Sequence, residues 1–285
     1  MATINRRNIK AVLNIFIFLL GLTLVAYPFV ARYIHNQAAR TQVEEFRDQS
    51  IKISQTELDR RIELAHAYNS TILPSMNGVV DPFTKKQKEG IKEYARMLEI
   101  NEQIGFIDIP KIDLSLPIHA GATEEVLQKA AAHLQGTSLP VGGKGTNSVI
   151  TAHRGLPSAK LFSDLNKMEV GDLFFLHNLR DDLAYQVIEI KVIESNDFES
   201  LKIEEAEDRV TLLTCTPYMI NSHRLLVIGK RIPYPKESVQ ETITRRQPSP
   251  WKLWLTIALS LFIFLSIIVL FIKRKKANRS FSRVK

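Results

Sequence analysis

The residue of this chain best suited to nucleophilic chemistry is Cys215, its one cysteine. It ends the apolar and β-branched run Thr211–Cys215, which predicts a strand, and Thr216-Pro217 stops that strand. A thiol at a strand end can act as a nucleophile once it loses its proton. The alternative is a buried small apolar side chain, the usual environment of a free cysteine. Three observations favour a reactive thiol: Cys215 lies at a strand end, it is the one cysteine of the chain, and a cation is expected nearby.

A cation is expected beside this thiol. Eight residues, 216–223, connect the Cys215 strand to the run Leu225–Gly229, which reads as the next strand. If the two strands pair antiparallel, Cys215 and Arg224 face the same rim of the sheet, where a guanidinium can stabilise a thiolate or an oxyanion. Side chains alternate along a strand, so His223 should point to the other face as a surface or packing residue.

A general base must come from another segment. Of seven histidines, only His153 directly follows a buried-looking strand, Ser148–Ala152, and precedes a Gly/Pro loop. On pattern alone a single histidine is more often structural than catalytic. Zinc-binding, phosphate-binding and papain-type signatures are absent from the sequence, so we expect no metal and no cofactor.

Period-two alternation begins at Ile104 and indicates the elements that position these residues. Several short strands separated by turn residues predict a closed or nearly closed β-barrel with helical insertions. One insertion is a short helix over Thr123–His133. The expected strands beyond the first alternating segment are Ser148–Ala152, Leu173–Leu176, Leu183–Ile193, Val210–Cys215 and Leu225–Ile232.

The segment before the barrel reads as helical. Helix is expected over 41–68, with a capping box at Ser54–Glu57, and again from Thr84 to about Glu99. Prolines and a glycine interrupt the pattern over 71–83. This interruption is either a lid or plug or, as pattern alone favours, an ordinary connecting loop.

Charge and hydropathy indicate a membrane protein. Ten basic residues lie in the terminal tails, so the net charge of +8 becomes −2 for the rest of the chain, which argues against nucleic-acid binding. The uncharged runs Ala11–Ala31 and Leu253–Ile272 are each long enough to cross a bilayer. A cleaved signal peptide is the alternative for the first run, although its length and the lack of an Ala-X-Ala site favour an anchor.

The basic tails predict that both termini are cytoplasmic, with residues 32–250 outside the cell membrane. The predicted organisation is a cytoplasmic tail (1–10), a transmembrane anchor (11–31), a helical region (32–103) with a lid loop at about 74–83, a catalytic β-barrel (104–232), a linker (233–250), a transmembrane helix (251–272) and a basic cytoplasmic tail (273–285).

Several motifs together resemble one family. Thr211-Leu212-Leu213-Thr214-Cys215 is similar to the Thr-Leu-X-Thr-Cys signature of sortases, the cysteine transpeptidases of Gram-positive bacteria. Further similarity to the pilus-assembly class, class C, lies in Ile104–Ile112, Gly136–Gly143, Ile150–Gly155 and Asn221–Val227. Asp81-Pro82-Phe83 resembles the lid motif of that class. Two positions depart from the pattern: Ala152 stands where glycine is common, and Ile228 where arginine is common.

The resemblance implies an eight-stranded sortase-type barrel, with His153, Cys215 and Arg224 as catalytic residues and Thr214 as a candidate substrate-binding residue. It also implies that Asp81 approaches the active-site arginine and that Phe83 covers the thiol. The expected substrate is a Leu-Pro-X-Thr-Gly-like sorting signal on a pilin, cleaved between Thr and Gly and joined to a lysine of the next pilin.

Three other functions remain open from the sequence. The first is a housekeeping sortase that attaches surface proteins to peptidoglycan, although the lid triplet and second span favour pilus assembly. The second is a membrane-bound cysteine protease, for which water is the acceptor. The third is an idle scaffold that retains pilins, against which the intact His153, Cys215 and Arg224 set argues.

Overall fold

The computed structural model describes residues 6–72, 93–197 and 199–235. They contain three α-helices, α1 (Arg6–Ser50), α2 (Gln55–Thr71) and α3 (Glu124–Leu127). Four short 3-10 helices lie at Glu93–Leu98, Pro110–Ile112, Leu161–Lys167 and Glu199–Leu201. The strands are β1 (Gln103–Ile109), β2 (Leu114–Ala120), β3 (Ala131–His133), β4 (Thr146–Thr151), β5 (Leu173–His177), β6 (Asp182–Glu194), β7 (Asp208–Thr216) and β8 (His223–Ile232).

The eight strands close into a barrel in the order β1-β2-β3-β4-β7-β8-β6-β5, which confirms the predicted eight-stranded barrel. The pairs β2–β3 and β4–β7 are parallel, and the other neighbouring strands are antiparallel. Because the barrel is closed, it has no free sheet edge, and every strand is paired with a neighbour on both sides.

The helix predicted over Thr123–His133 is wrong in its second half. Helix α3 ends at Leu127, and Ala131–His133 forms β3 between β2 and β4. Tertiary pairing decides here, because these three residues supply the hydrogen bonds that join β2 to β4. Alanine's helix preference is too small to compete with such a ladder.

Alternating side chains of the strands pack into two apolar clusters. In β7, Val210 and Leu212 belong to the larger cluster, which fills the barrel and also contains residues of α1 and α2. Leu213 belongs to a second cluster, on the other face of the sheet, together with Val126 and Leu127. Helix α3 therefore covers part of the barrel's outer face, next to the last residues of β4 and β7.

Helix α1 is a single helix from Arg6 to Ser50, rather than a separate span followed by a second helix. Large apolar side chains between Leu13 and Ile34 are exposed, whereas Ala39, Val43 and Phe46 are buried against the barrel. By length and composition, α1 is the one helix among the described residues that could cross a membrane. The predicted second span, the linker beyond Pro235, the basic tail and the lid loop lie outside the described residues.

A buried amide clamps α2 to the barrel. Ser54 caps the helix by accepting a hydrogen bond from the Glu57 backbone N–H, as the capping box predicts. Near the other end, the Asn69 side chain donates to the Leu139 carbonyl at 3.1 Å and accepts from the Leu139 N–H at 2.7 Å. Both bonds are buried, so they fix α2 against the loop that precedes β4.

At the barrel end where β5 turns into β6, a buried histidine lies between two carboxylates. His177 forms ion pairs with Asp108 at 3.4 Å and with Asp182, and its ring stacks on Phe106 at 4.2 Å. Burial lowers the pKa of His177, but the two carboxylates outweigh burial and raise the pKa above its usual value. The protonated form of His177 is therefore favoured by folding.

Candidate active site

Three adjacent strands bring His153, Cys215 and Arg224 into one row. Cys215 lies directly opposite Arg224 in the antiparallel β7–β8 register. On the other side, Thr151 of β4 pairs with Leu213 of β7, so His153 follows at the level of Cys215. Neighbouring strands are about 4.8 Å apart. Cys215 is therefore flanked by the predicted base on one side and by the predicted cation on the other.

The three side chains also share a face of the sheet. Side chains alternate along each strand, and Val149, Leu213 and Leu226 all lie in the outer cluster. His153, Cys215 and Arg224 are separated from these residues by even numbers of positions, so they point the same way. Cys215 and Arg224 are both buried. A guanidinium on the strand next to the thiol is placed to stabilise negative charge that develops there.

Backbone carbonyls hold the guanidinium of Arg224. Its Nη1 donates to the carbonyl of Asn221 and to that of His223, each at 2.9 Å. Asn221 lies in the β7–β8 connection and His223 is the first residue of β8. The connection therefore fixes the position of the Arg224 side chain. His223 lies half-exposed and pairs with Glu194 at 3.2 Å, which confirms its predicted placement on the other face.

Thr214 fixes the backbone that carries His153. Its side chain is fully buried, and its hydroxyl donates to the carbonyl of Ala152 at 2.7 Å. The Ala152 N–H in turn donates to the carbonyl of Leu213 at 3.3 Å. These bonds extend the β4–β7 contact by one residue beyond Thr151, up to His153. The substrate-binding role of Thr214 stays a prediction, whereas this contact gives it a positioning role.

Glu124 is a neighbour of His153 that the sequence reasoning missed. Its Oε1 lies 3.5 Å from His153 Nε2, although the Glu124 side chain is 71% exposed. It is the first residue of α3, and the fold brings α3 beside the end of β4. No sequence motif around Glu124 predicts this contact. The contact arises because the connection from β2 to β3, which contains α3, passes beside the end of β4.

Two loops beside the site are joined to each other. Nη1 of Arg154 donates to the Thr216 hydroxyl at 2.9 Å. The Tyr218 ring lies against Gly155, whose φ is +95°, and a Cβ on residue 155 would come within 3.0 Å of that ring. Glycine is therefore required here both for its backbone conformation and for the close approach. The loops following His153 and Cys215 form one surface.

The described part of the chain contains no group of three or more His, Cys, Asp or Glu residues placed to hold a metal ion.

His133, a second fully buried histidine, is structural: its Nε2 lies 2.7 Å from the Ser138 carbonyl. Burial lowers the pKa of His133 to about 4, although the Ser138 carbonyl opposes this shift. His133 is therefore neutral at physiological pH. The predicted lid residues Asp81, Pro82 and Phe83 lie outside the described residues.

Comparison with known proteins agrees with this geometry. The family profile described as "Sortase domain" matches residues 107–232. Among solved structures, sortase C-1 from Streptococcus pneumoniae is 52% identical, with a TM-score of 0.65 over 68% of this chain and 99% of that one. Group B Streptococcus Pilus Island 1 sortase C2 is 54% identical, with a TM-score of 0.60 over 64% of this chain and 100% of that one.

More distant similarity extends to other sortase classes. Sortase A of Bacillus anthracis is 24% identical over 225 residues, which cover 79% of this chain and 95% of that protein. The much higher identity to the two streptococcal proteins distinguishes class C from class A. The chain belongs to the sortase family of cysteine transpeptidases, in its class C.

Proposed function

We propose that this chain is a membrane-anchored pilin polymerase that uses His153, Cys215 and Arg224 as its catalytic residues. The observation that supports this most strongly is that these three residues lie at one level, with His153 two residues beyond the end of β4, Cys215 in β7 and Arg224 in β8. Identity above 50% to sortases of streptococcal pilus islands supports a pilin as the substrate. The proposed substrate carries a Leu-Pro-X-Thr-Gly-like sorting signal.

The first step is acyl transfer to the thiol. Sγ of Cys215 attacks the Thr carbonyl carbon and forms a thioester, while the bond to the Gly nitrogen breaks. The thiol proton passes through His153 to the leaving Gly amine. The guanidinium of Arg224 stabilises the negative charge that develops on the substrate carbonyl oxygen.

The second step releases the acyl group onto a lysine. Nζ of a lysine on the next pilin attacks the thioester carbon, forms an amide with the Thr, and expels the Cys215 thiolate. His153 takes the proton that the lysine amine loses. Water is the competing acceptor, and its attack yields a free Thr carboxylate.

Membrane anchoring is part of the proposal. The exposed apolar stretch of α1 supports a first span, and the uncharged run Leu253–Ile272 supports a second. The basic residues outside both runs support an orientation with the two termini in the cytoplasm and the barrel on the outer side. Such an enzyme acts in the cell membrane on pilins that reach its outer face.

The joined product is the test of this function. The full chain in detergent is incubated with the pilin from its own cell, and the products are separated on a denaturing gel and identified by mass spectrometry. A ladder with Thr–Lys isopeptide bonds that is lost in Cys215→Ala supports pilin polymerisation. With peptidoglycan fragments also supplied, Thr–Gly cleavage with transfer only to their amines supports wall anchoring instead, and cleavage without transfer supports a protease.

The lid remains a proposal that rests on Asp81-Pro82-Phe83. An Asp81 carboxylate paired with Arg224, and a Phe83 ring over the thiol, would exclude reagents from Cys215. We therefore expect Asp81→Ala and Phe83→Ala each to raise the rate at which a thiol reagent labels Cys215. The control is Asp48→Ala, an exposed carboxylate on α1. Labelling rates equal to the control in both variants would remove the lid.

A further inference from the structure

The β7–β8 connection exposes three consecutive large apolar side chains. Tyr218, Met219 and Ile220 are 47%, 76% and 72% exposed, and we call them the 218–220 loop. Outside α1, no other run of consecutive large apolar residues is exposed to this extent within 6–72, 93–197 and 199–235. Contiguous exposed apolar surface of this kind marks a site of contact with a protein or a membrane.

Helix α1 shows which end of the barrel faces the membrane. Nε of Arg32 donates to the Pro157 carbonyl at 3.1 Å, and Pro157 lies four residues after His153. Further along α1, Phe46 packs edge-on against Phe106 with ring centroids 6.3 Å apart. Phe106 pairs with His177, which faces the start of β6, whereas the other end of β6 lies level with Cys215. The helix therefore passes along the barrel with Arg32 nearest Cys215.

The apolar part of α1 leaves the barrel from that same end. Arg32 is the first charged side chain after Lys10, and the 21 residues between them rise about 32 Å, the thickness of a hydrocarbon core. If α1 spans the bilayer, Arg32 lies at the outer interface. The Pro157 carbonyl that it contacts then lies at the level of the lipid headgroups.

The 218–220 loop belongs to this membrane-facing surface. The Tyr218 ring packs on Gly155, two residues before Pro157, and Arg154 is hydrogen-bonded to Thr216 at the start of the loop. The loop is thus joined directly to the segment that contacts Arg32. An aromatic residue followed by two apolar ones is a composition suited to the membrane interface.

We propose that the 218–220 loop inserts into the outer leaflet of the bilayer that α1 spans. Lipid is the occupant that the position favours, because the loop continues the surface that already contacts the membrane end of α1. Insertion holds the Cys215 end of the barrel at the bilayer surface. The inference rests on the proposed anchoring by α1, but it does not depend on the transpeptidation reaction.

Fluorescence quenching by brominated lipid tests the insertion. The full chain has two tryptophans, so Trp251→Phe and Trp254→Phe provide a background on which Met219→Trp reports the loop. The matched control is Ile51→Trp, because Ile51 is 81% exposed and lies about 28 Å beyond Arg32 along and past α1. Each variant is reconstituted in phosphatidylcholine vesicles with plain or brominated acyl chains, and Ile220→Trp serves as a second probe.

Co-flotation of the protein with the vesicles is measured first, since a protein that stays behind when the vesicles float lacks the proposed anchor. With flotation established, we expect brominated lipid to quench the emission of the Met219→Trp and Ile220→Trp variants at least about twofold, and that of the Ile51→Trp variant hardly at all. Quenching in the two loop variants no greater than in the control variant would overturn the insertion while leaving the anchor in place. A lack of quenching in the loop variants would instead indicate that the exposed loop contacts a protein partner.

Discussion

Replacing Thr214 by valine separates the positioning of His153 from the stability of the barrel. Valine keeps the shape of threonine but removes the hydroxyl that donates to the Ala152 carbonyl at 2.7 Å. That carbonyl immediately precedes His153. We expect the variant to fold, because the side chain stays apolar and fits the same fully buried space.

Two effects are expected from this substitution, a loss of stability and a loss of kcat. An unmade hydrogen bond at a buried carbonyl costs about 1–3 kcal/mol of unfolding free energy. In a domain of this size, each kcal/mol lowers the melting temperature by about 2–4 °C. A displacement of His153 by up to 1 Å costs about 10-fold to 100-fold in kcat. If Thr214 acts only through His153, KM should change little, since the Thr214 side chain is fully buried.

Thr211→Val is the matched control on the same strand. Thr211 is also fully buried, and its hydroxyl donates to Asn147 Oδ1 at 3.0 Å, away from His153. Melting temperature is measured by calorimetry, and kcat and KM with a fluorogenic sorting peptide. Both variants should lose similar stability, and only Thr214→Val should lose kcat. If Thr211→Val lowers kcat as much, the loss reflects stability and the positioning role is refuted.

Two further predictions concern charged groups. Because the pKa of His177 is raised by folding, its contribution to stability is complete below its unfolded pKa, about 6.5, and is lost as pH rises through the folded value. Urea unfolding should therefore show a stability decrease above pH 6.5 that is absent in His177→Gln; parallel curves for the two proteins would contradict this. Glu124→Gln should lower kcat/KM by at most about fivefold, because an exposed pair contributes at most about 1 kcal/mol. Glu125→Gln, whose carboxylate pairs with Lys129 instead, should have no effect, and equal losses in the two variants would exclude a specific contact with His153.

Much of the barrel and the row of three residues followed from strand alternation. Cys215 and Arg224 were expected on one face because an antiparallel pair places facing residues side by side, and the β7–β8 register confirms this. The expected placement of His223 on the opposite face is confirmed for the same reason. His153 was selected from the seven histidines by its position after a buried strand and by the family resemblance. The alternation of apolar residues alone does not distinguish a catalytic histidine from a structural one.

Other features depend on tertiary contacts that local pattern does not contain. Ala131–His133 pairs as β3 because β2 and β4 flank it, although alanine favours helix. The closeness of Glu124 to His153 arises from the crossover between β2 and β3. The continuity of α1 through residues 32–50 depends on packing against the barrel, where Ala39 and Phe46 are buried. The lid, the second span and the catalytic roles stay predictions.

The acyl-enzyme is the species that tests the central claim most directly. The full chain is mixed with a Leu-Pro-X-Thr-Gly peptide, quenched in acid and analysed by intact-protein and peptide mass spectrometry. The proposed mechanism predicts a Leu-Pro-X-Thr adduct on Cys215, and its transfer to an added lysine amine as a Thr–Lys amide. Peptide cleavage that persists in Cys215→Ala, or an acyl group found on another residue, would contradict it.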